Sequence, residues 1–519
     1  MKHTLTLLLT LLLAVQGFAQ TSMSRRDRQD LRIAQLALSQ GDHALVYQLL
    51  EPLHKRDTAN AEVNLALGQA ALSWKGDKAF ALKLLRSAAQ QLPQARFHYA
   101  RALHRNLRFD EAYENFLAYV ESGDRSIPSE EVLRHIDQVT RAKEALANPA
   151  DVRVTNLGPT VNTEAPEYVP IVTPDNQKLY FTSRRSDSTG GLKDPNSAFF
   201  EDIYFTLADK NGWSNATNIG TPINSNTHDA TVSIAADGKT MVVYRTNENQ
   251  TGGDLYISRL QDGKWSTPEK LPATINSQFQ EASATLSADG KLLIFSSNRP
   301  GGYGGKDLYR VRMLPNGQWS LPRNLGPIVN TPYDEDAPHL DVDGKTLYFA
   351  SNGHTTIGGY DIFRSTKAND DLWSTPKNLG FPVNTVDDDL YLTLDAGGRT
   401  GYFSSAREGG FGDQDLYSID FVNRRQATIV VKGKLNDLEG NAIAATITVI
   451  DEATREVQGV YRSNRLSGKF IAVLHPLTPY KVLIEADGYN SVIDELAFPF
   501  PETADQKEVE LTPYLLIAP

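Results

Sequence analysis

At 519 residues the chain exceeds one ordinary domain, and 40% hydrophobic with 22% charged residues is the balance of a folded globular protein. Its 52 Lys and Arg against 63 Asp and Glu leave a net charge of −11, which speaks against nucleic acid and anionic membrane surfaces as partners, a local basic patch apart. The absence of cysteine excludes disulfides, thiol catalysis, Cys-zinc sites and a lipoprotein anchor.

The first residues read as an export signal. A short polar start, Lys2-His3, precedes an apolar run from Leu5 to Val15 that is too short to span a bilayer. Gly17-Phe18-Ala19 then offers small residues where a signal peptidase reads, so 1–19 is expected to be a signal peptide cleaved after Ala19. No later run is long and apolar enough for a membrane span. The expectation is a periplasmic protein without a transmembrane segment in its mature form, associated with the outer membrane only through partners.

Residues 20–149 carry helical periodicity, as in Leu31, Ala34, Leu38 and Leu82, Leu85, Ala89. Gly41-Asp42-His43-Ala44 returns as Gly76-Asp77-Lys78-Ala79 and then as Phe109-Asp110-Glu111-Ala112, a period near 34. That period, with the stretch from Tyr99 to Phe116, resembles the tetratricopeptide repeat and implies stacked helix pairs suited to protein binding. A plain helical bundle is the other reading of the same segment.

Residues 150–424 hold the strongest signal, a motif repeated five times. Leu325-Gly326-Pro327-Ile328-Val329-Asn330-Thr331 has counterparts whose asparagines are Asn162, Asn224, Asn276 and Asn384. Each copy continues with an acidic residue, a strand, an Asp-Gly-type turn, a second strand and a Gly-rich loop, then a third strand opening Asp-Leu-Tyr. Asp-Gly between alternating strands is a hairpin signal. Trp213, Trp265, Trp319 and Trp373 open a fourth strand in the first four copies, and the fifth copy has no tryptophan. The pattern predicts a five-bladed β-propeller whose last blade borrows Val152–Leu157, which closes the ring and leaves no free sheet edge. These copies resemble the PD40 class of WD40-like repeats in TolB-type periplasmic propellers.

Propeller geometry would gather the Gly-rich loops and Asn-Thr junctions on one face. Near the axis this places Glu164, Glu167, Asp229, Glu281, Asp334, Asp336, Asp387 and Asp389. Further out it places Arg184, Arg185, Arg299, Tyr303, His354, Tyr360, Arg407 and Phe411. The functional reading is an acidic mouth that attracts a cationic or polar peptide, since fields of one sign add in a concavity. The structural reading of the same residues is turn formation. The first copy departs from the rest, with a longer loop from Ser183 to Glu201.

Motifs for chemistry are sparse. There is no Gly-x-Ser-x-Gly and no His-Glu-x-x-His, and the ten histidines lack metal-ligand spacing. Gly301-Gly302-Tyr303-Gly304-Gly305-Lys306 lacks the Ser or Thr of a phosphate loop, and Asp341-Val342-Asp343-Gly344 lacks the distal glutamate of a calcium loop. The expectation is no cofactor, no metal and no enzymatic activity.

Residues 425–519 read as short strands with turns at Asp437–Gly440 and Asp487-Gly488. Val431–Lys434, Ala444–Ile447, Ser467–Phe470 and Ala486–Tyr489 resemble the carboxypeptidase regulatory-like domain, a transthyretin-like β-sandwich. Signal peptide, helical repeats, PD40 propeller and sandwich in this order resemble the PorE-type proteins of Bacteroidetes. That resemblance implies a periplasmic adaptor of the type IX secretion and gliding machinery that binds envelope proteins. An OmpA-like domain, usual in such proteins, is not seen before Ala518-Pro519. A propeller that binds a glycan or peptide is the alternative, and a propeller hydrolase a third reading.

Overall fold

The computed structural model describes residues 23–73, 77–194, 198–210, 212–250, 252–369, 372–421, 429–437, 439–475, 478–497 and 507–508. The signal peptide expected at 1–19 and the last residues of the chain lie outside that set.

The first compact unit ends at Thr140. Its helices are α1 (Arg25–Ser39), α2 (His43–Arg56), α3 (Ala61–Ser73), α4 (Lys78–Ala89), α5 (Ala95–Arg105), α6 (Phe109–Glu121) and α7 (Ser129–Ala147), the last running past the unit's end. Ser24 caps α1 in a reciprocal box with Asp27, while Asp42 and Asp77 cap α2 and α4 by accepting from Leu45 N at 3.0 Å and Phe80 N at 2.9 Å. Leu31, Val46, Leu50 and Leu67 form one core, and Phe97, Leu103, Phe116 and Tyr119 another.

The tetratricopeptide-like expectation is corrected by these helices. The starts of α2, α4 and α6, where the three similar strings fall, are 35 and then 31 residues apart, so the strings do not mark one period. Asp42 and Asp77 precede their helices as caps, but Asp110 lies inside α6, whose cap position is Arg108 without a side-chain cap bond. Ala44 is half-buried, Ala79 exposed and Ala112 fully buried. The three similar strings therefore occupy different places. Asp before a helix followed by Ala is the chemistry of capping and helix propensity, which recurs without a packing repeat.

In the second unit, the described residues form five antiparallel sheets of four or five strands, in a ring. The innermost strands are Glu167–Val172, Asp229–Ile234, Ala284–Leu286, Glu335–Leu340 and Asp389–Leu394. Each packs against the next, and the fifth returns to the first. This is a five-bladed β-propeller. Outer positions of blade five come from Val152–Asn156, antiparallel to Asp415–Phe421 with Val152 opposite Phe421 and Asn156 opposite Tyr417. Val152 and Val154 join the apolar cluster of Leu394, Phe403 and Tyr417.

The repeated asparagines weld neighbouring elements. Asn330 Oδ1 accepts from Leu308 N at 2.8 Å while its Nδ2 donates to Leu308 O at 3.1 Å and Asn324 Oδ1 at 2.8 Å. Asn162 makes the same bonds to Leu416, 254 residues away, which locks the first blade to the last. Gly412 is also needed at that seam: a Cβ there would meet the carbonyl oxygens of Thr163 and Ala165 at 2.8 Å.

The described part of the C-terminal region is a two-layer β-sandwich. One layer orders Lys469–Leu474, Ile429–Lys434 and Lys507–Glu508; the other orders Val457–Arg462, Thr446–Asp451, Pro479–Glu485 and Val492–Ala497. Val431, Ile447, Tyr461, Phe470, Tyr480 and Val482 fill its centre. No described helix of the chain is long and apolar enough to cross a membrane.

Candidate functional site: the loop face of the propeller

Four of the carboxylates expected at the mouth belong to the scaffold. Glu167, Asp229, Glu281 and Asp389 open, or directly precede, the inner strands and are buried. Each accepts from the Thr or Ser four residues before it; Glu281, for example, takes Ser277 N and Oγ at 2.8 Å. Each is met by an arginine at the end of the second strand or in the loop after it: Arg185–Glu167 at 3.0 Å, Arg245–Asp229 at 2.5 Å, Arg299–Glu281 at 3.1 Å and Arg407–Asp389 at 2.8 Å. The same arginines donate to a backbone carbonyl and lie over aromatic rings, as Arg407 does to Val383 O at 2.7 Å and over Phe403 and Tyr417. This corrects the uncompensated acidic mouth: the carboxylates are neutralised inside the wall.

Blade four breaks the pattern. Its ring carboxylate is Glu335, and Gly353 stands where blades one, three and five have Arg185, Arg299 and Arg407. His354 fills the space instead, its Nε2 at 2.7 Å from Val329 O, where neighbouring blades place a guanidinium. Burial pushes the Glu335 carboxyl up to about 7 against the bonds from Thr331 and Ser351 that lower it, with Asp307 adding to the rise. Burial also pushes His354 down.

Inside this ring a second set of residues faces the axis. It comes from three recurrent positions: one before the ring carboxylate, one after it, and one before the third-strand aspartate. In two sectors these positions are filled by polar and aromatic groups that the other blades lack. In one sector Tyr168 donates to Glu201 Oε1, and His228 Nδ1 lies 3.2 Å from Glu201 Oε2 with its ring stacked on Phe200 at 4.2 Å. Burial raises the Glu201 carboxyl, but the bonds from His228 and Tyr168 and the nearby Arg184 outweigh it and hold the group below its ordinary value.

The other sector joins blades three to five. Lys306 Nζ donates to Asp336 Oδ2 at 2.7 Å, and Ser283 Oγ donates to Asp336 Oδ1. Tyr360 donates its hydroxyl to Asp334 at 3.0 Å and its N–H to Asp388 at 2.9 Å. Burial raises Asp336, and Lys306 more than offsets it. Tyr391 lies between the sectors: burial first, then both Asp336 and Glu201, push its phenol far above its usual range.

The backbone is bent to build this mouth. The inner strands of blades one, four and five shift register after Tyr168, Asp336 and Leu390, with Val169, Ala337 and Tyr391 at φ of 50°, 51° and 60°. Such bulges re-aim side chains, and each left-handed non-glycine residue costs about 1–3 kcal/mol.

The remaining expected residues take several places. Glu164 is exposed, Asp387 is buried, and Arg184 is held by Asp194 at 2.5 Å and Phe199 O at 2.8 Å. Tyr303 and Phe411 are 51% and 47% exposed, on the loops that lead to Lys306 and Gln414. Tyr168, Glu201, His228, Lys306, Asp388 and Tyr391 were not among the expected residues. Their signal was available as departure from the repeat: the position before the third-strand aspartate reads Glu201, Gly253, Lys306, Tyr360 and Gln414.

The opposite end of the axis is closed. An axial cavity of about 70 Å³ runs along the inner strands from Val169, Ala337 and Tyr391 to Pro174, Ala236, Ala288, Val342 and Ala396, the residues before the hairpin turns. Ala236 and Ala288 pack into the sandwich core, and Ala396 and Val342 pack against Val430, Val473 and Ile471. The sandwich thus caps the turn face.

No protein-family model and no curated protein matches the chain. Among solved structures it is similar to an alpha-L-arabinofuranosidase from Lactobacillus brevis, at 14% identity over 51% of this chain and 92% of that one, with a TM-score of 0.34. It is similar to an endo-arabinase from Bacteroides thetaiotaomicron at 13% identity, over 52% and 97% of the two chains, TM-score 0.34. A Penicillium chrysogenum alpha-L-arabinanase complexed with arabinobiose matches at 10%, over 52% and 98%, TM-score 0.32. The expectation of a chain without enzymatic activity is withdrawn on these matches, because chains that share this span are named as enzymes. At such identities and TM-scores they carry no argument for a particular activity here.

Proposed function

We propose that the chain is an exported glycan-binding propeller of the bacterial envelope, with its binding site at the loop-face mouth. One observation carries this reading: the axial carboxylates are held in place by neighbouring groups, Asp336 by Lys306 at 2.7 Å, Glu201 by the Tyr168 hydroxyl with Arg184 nearby, and Asp334 by the Tyr360 hydroxyl at 3.0 Å. Carboxylates fixed in this way offer oriented acceptors beside the donors that hold them. That suits a neutral, hydroxyl-rich ligand better than the cationic peptide expected from an acidic ring. Asp334, Asp388 and Glu201 can accept sugar hydroxyls, and the Tyr360 and Tyr391 phenols supply further polar edges. Exposed Tyr303 and Phe411 add aromatic faces on which sugar rings stack. The resemblance to PorE-type proteins supports the compartment and an envelope role.

The test is a screen of neutral and charged oligosaccharides and of basic peptides, followed by calorimetry on the full chain. A neutral glycan is expected to bind with an affinity that changes little as salt rises from about 0.05 to 0.5 M, since no exposed ion pair carries it. Tyr360→Phe and Glu201→Gln should each weaken it about tenfold, the loss of a hydrogen bond to a charged group. Product analysis in the same tubes reads whether the glycan is also cleaved. Capture of basic peptides alone, steeply weakened by salt, would overturn the reading.

A further inference from the structure

The seam between the turn face and the sandwich holds a second site, unrelated to the mouth. A cavity of about 780 Å³ there is lined by Lys239, Lys432, Lys434 and Lys469. An adjoining one of about 250 Å³, which shares Lys239 and Asn464, adds Arg462 and Arg465. In a chain of net charge −11 this is a concentration of cations.

Its origin is legible in the strands. On Ile429–Lys434 the alternate residues Val431 and Gly433 face the sandwich core, so Val430, Lys432 and Lys434 share the other face. On Lys469–Leu474 that face carries Lys469, Ile471 and Val473. The register sets Val430 opposite Val473, Lys432 opposite Ile471 and Lys434 opposite Lys469. The face is therefore graded. Its apolar end packs on Ala396 of the propeller, and its basic end opens into the cavity beneath Lys239.

Two observations point to a ligand. Lys434 and Lys469 are like charges directly across an antiparallel pair, an arrangement that destabilises a sheet. Among the described residues none of Lys432, Lys434, Lys469, Arg462 and Arg465 has a carboxylate within salt-bridge distance. Of the acids that line the two cavities, Asp237 accepts from Lys239 N at 2.7 Å and Thr240 N at 3.0 Å, and Asp175 from Thr173 Oγ1 at 2.9 Å, while Asp262 lines the smaller cavity and not the larger.

We infer that this seam binds a polyanion bearing closely spaced phosphate-type groups, one of which bridges Lys434 and Lys469. Such an anion would relieve the cross-strand repulsion and fill a space already lined with donors. Both a soluble polyphosphate and a clustered anionic headgroup present this chemistry, and the experiment separates them.

The full chain is titrated with inorganic tripolyphosphate by calorimetry and, separately, sedimented with phosphatidylglycerol vesicles, using phosphatidylcholine vesicles as the control. Lys434→Gln with Lys469→Gln is the variant. It removes the repulsion, so its melting temperature should equal or exceed that of the wild type, which shows that it folds. Tripolyphosphate is expected to bind the wild type and to lose at least tenfold in affinity in the variant, with the slope of log K against log salt reduced by about 2 for two removed charges. Variant-sensitive sedimentation with phosphatidylglycerol but no tripolyphosphate binding would assign the same site to a headgroup. If neither probe binds, or the folded variant binds like the wild type, the inference is overturned. Neutral-glycan binding at the mouth should be unchanged in the variant, so failure here is distinct from failure there.

Discussion

Replacing Glu335 with Gln tests the broken symmetry of blade four. Glu335 is 0% exposed, lacks the arginine that its counterparts have, and has its carboxyl pushed up to about 7 from an ordinary 4.5. In the unfolded chain it returns to the ordinary value. The folded state then holds the proton more tightly, so this residue's contribution to stability is fully present below about pH 4.5 and is lost as pH rises through about 7. At about 1.4 kcal/mol per tenfold, that interval amounts to about 3 kcal/mol. Gln keeps the shape and still accepts from Thr331 N without titrating. Urea midpoints of both proteins, read by the tryptophan fluorescence of the blades at several pH values between about 4.5 and 8, isolate the residue because every other titrating group cancels in the difference. Relative to the variant, the wild type should lose about 3 kcal/mol across the series. A difference that stays constant with pH would refute the raised carboxyl.

Three further outcomes follow from the packing. Arg407→Gln leaves the buried Asp389 without its cation and should cost about 3–5 kcal/mol, read as a shift in the urea midpoint. Deleting Val152–Asn156 removes the outer strand of blade five and its seal over Phe403 and Tyr417; the loss should rival the about 5–15 kcal/mol of a whole domain, seen as aggregation in size-exclusion chromatography. Ala396→Asp buries a carboxylate between the propeller and Val430 and Val473, and should lower the melting temperature by several degrees, more at pH 7 than at pH 4.

Much of the ring could be read in the chain because each blade repeats its own chemistry. Asn330 and its counterparts recur since each must bond both the N–H and the carbonyl of a third-strand residue, and the missing fifth tryptophan marks where Val152–Asn156 enters. The helices were less legible: capping aspartates repeat for local reasons, so Asp42, Asp77 and Asp110 looked equivalent while only the first two cap. The mouth was misread for a related reason. A repeated acidic residue draws attention, but repetition in every blade is the mark of scaffold, as the arginine partners of Glu167, Asp229, Glu281 and Asp389 make plain. The axial residues that differ between blades, such as Glu201, Lys306 and Tyr360, carry no motif. Their convergence depends on blade order and on the bulges at Val169, Ala337 and Tyr391, which spacing alone does not reveal.

The most direct test of the central claim is a hydrogen-exchange footprint of the full chain with a neutral glycan that it binds. The loop-face account predicts protection over 164–168, 200–202, 301–306, 333–336, 358–361 and 387–391, with no change at the hairpin turns 174–176, 236–238, 288–290 and 342–344 beneath the sandwich. Protection at those turns or within the sandwich, and none around Glu201, Asp336 and Tyr360, would contradict it.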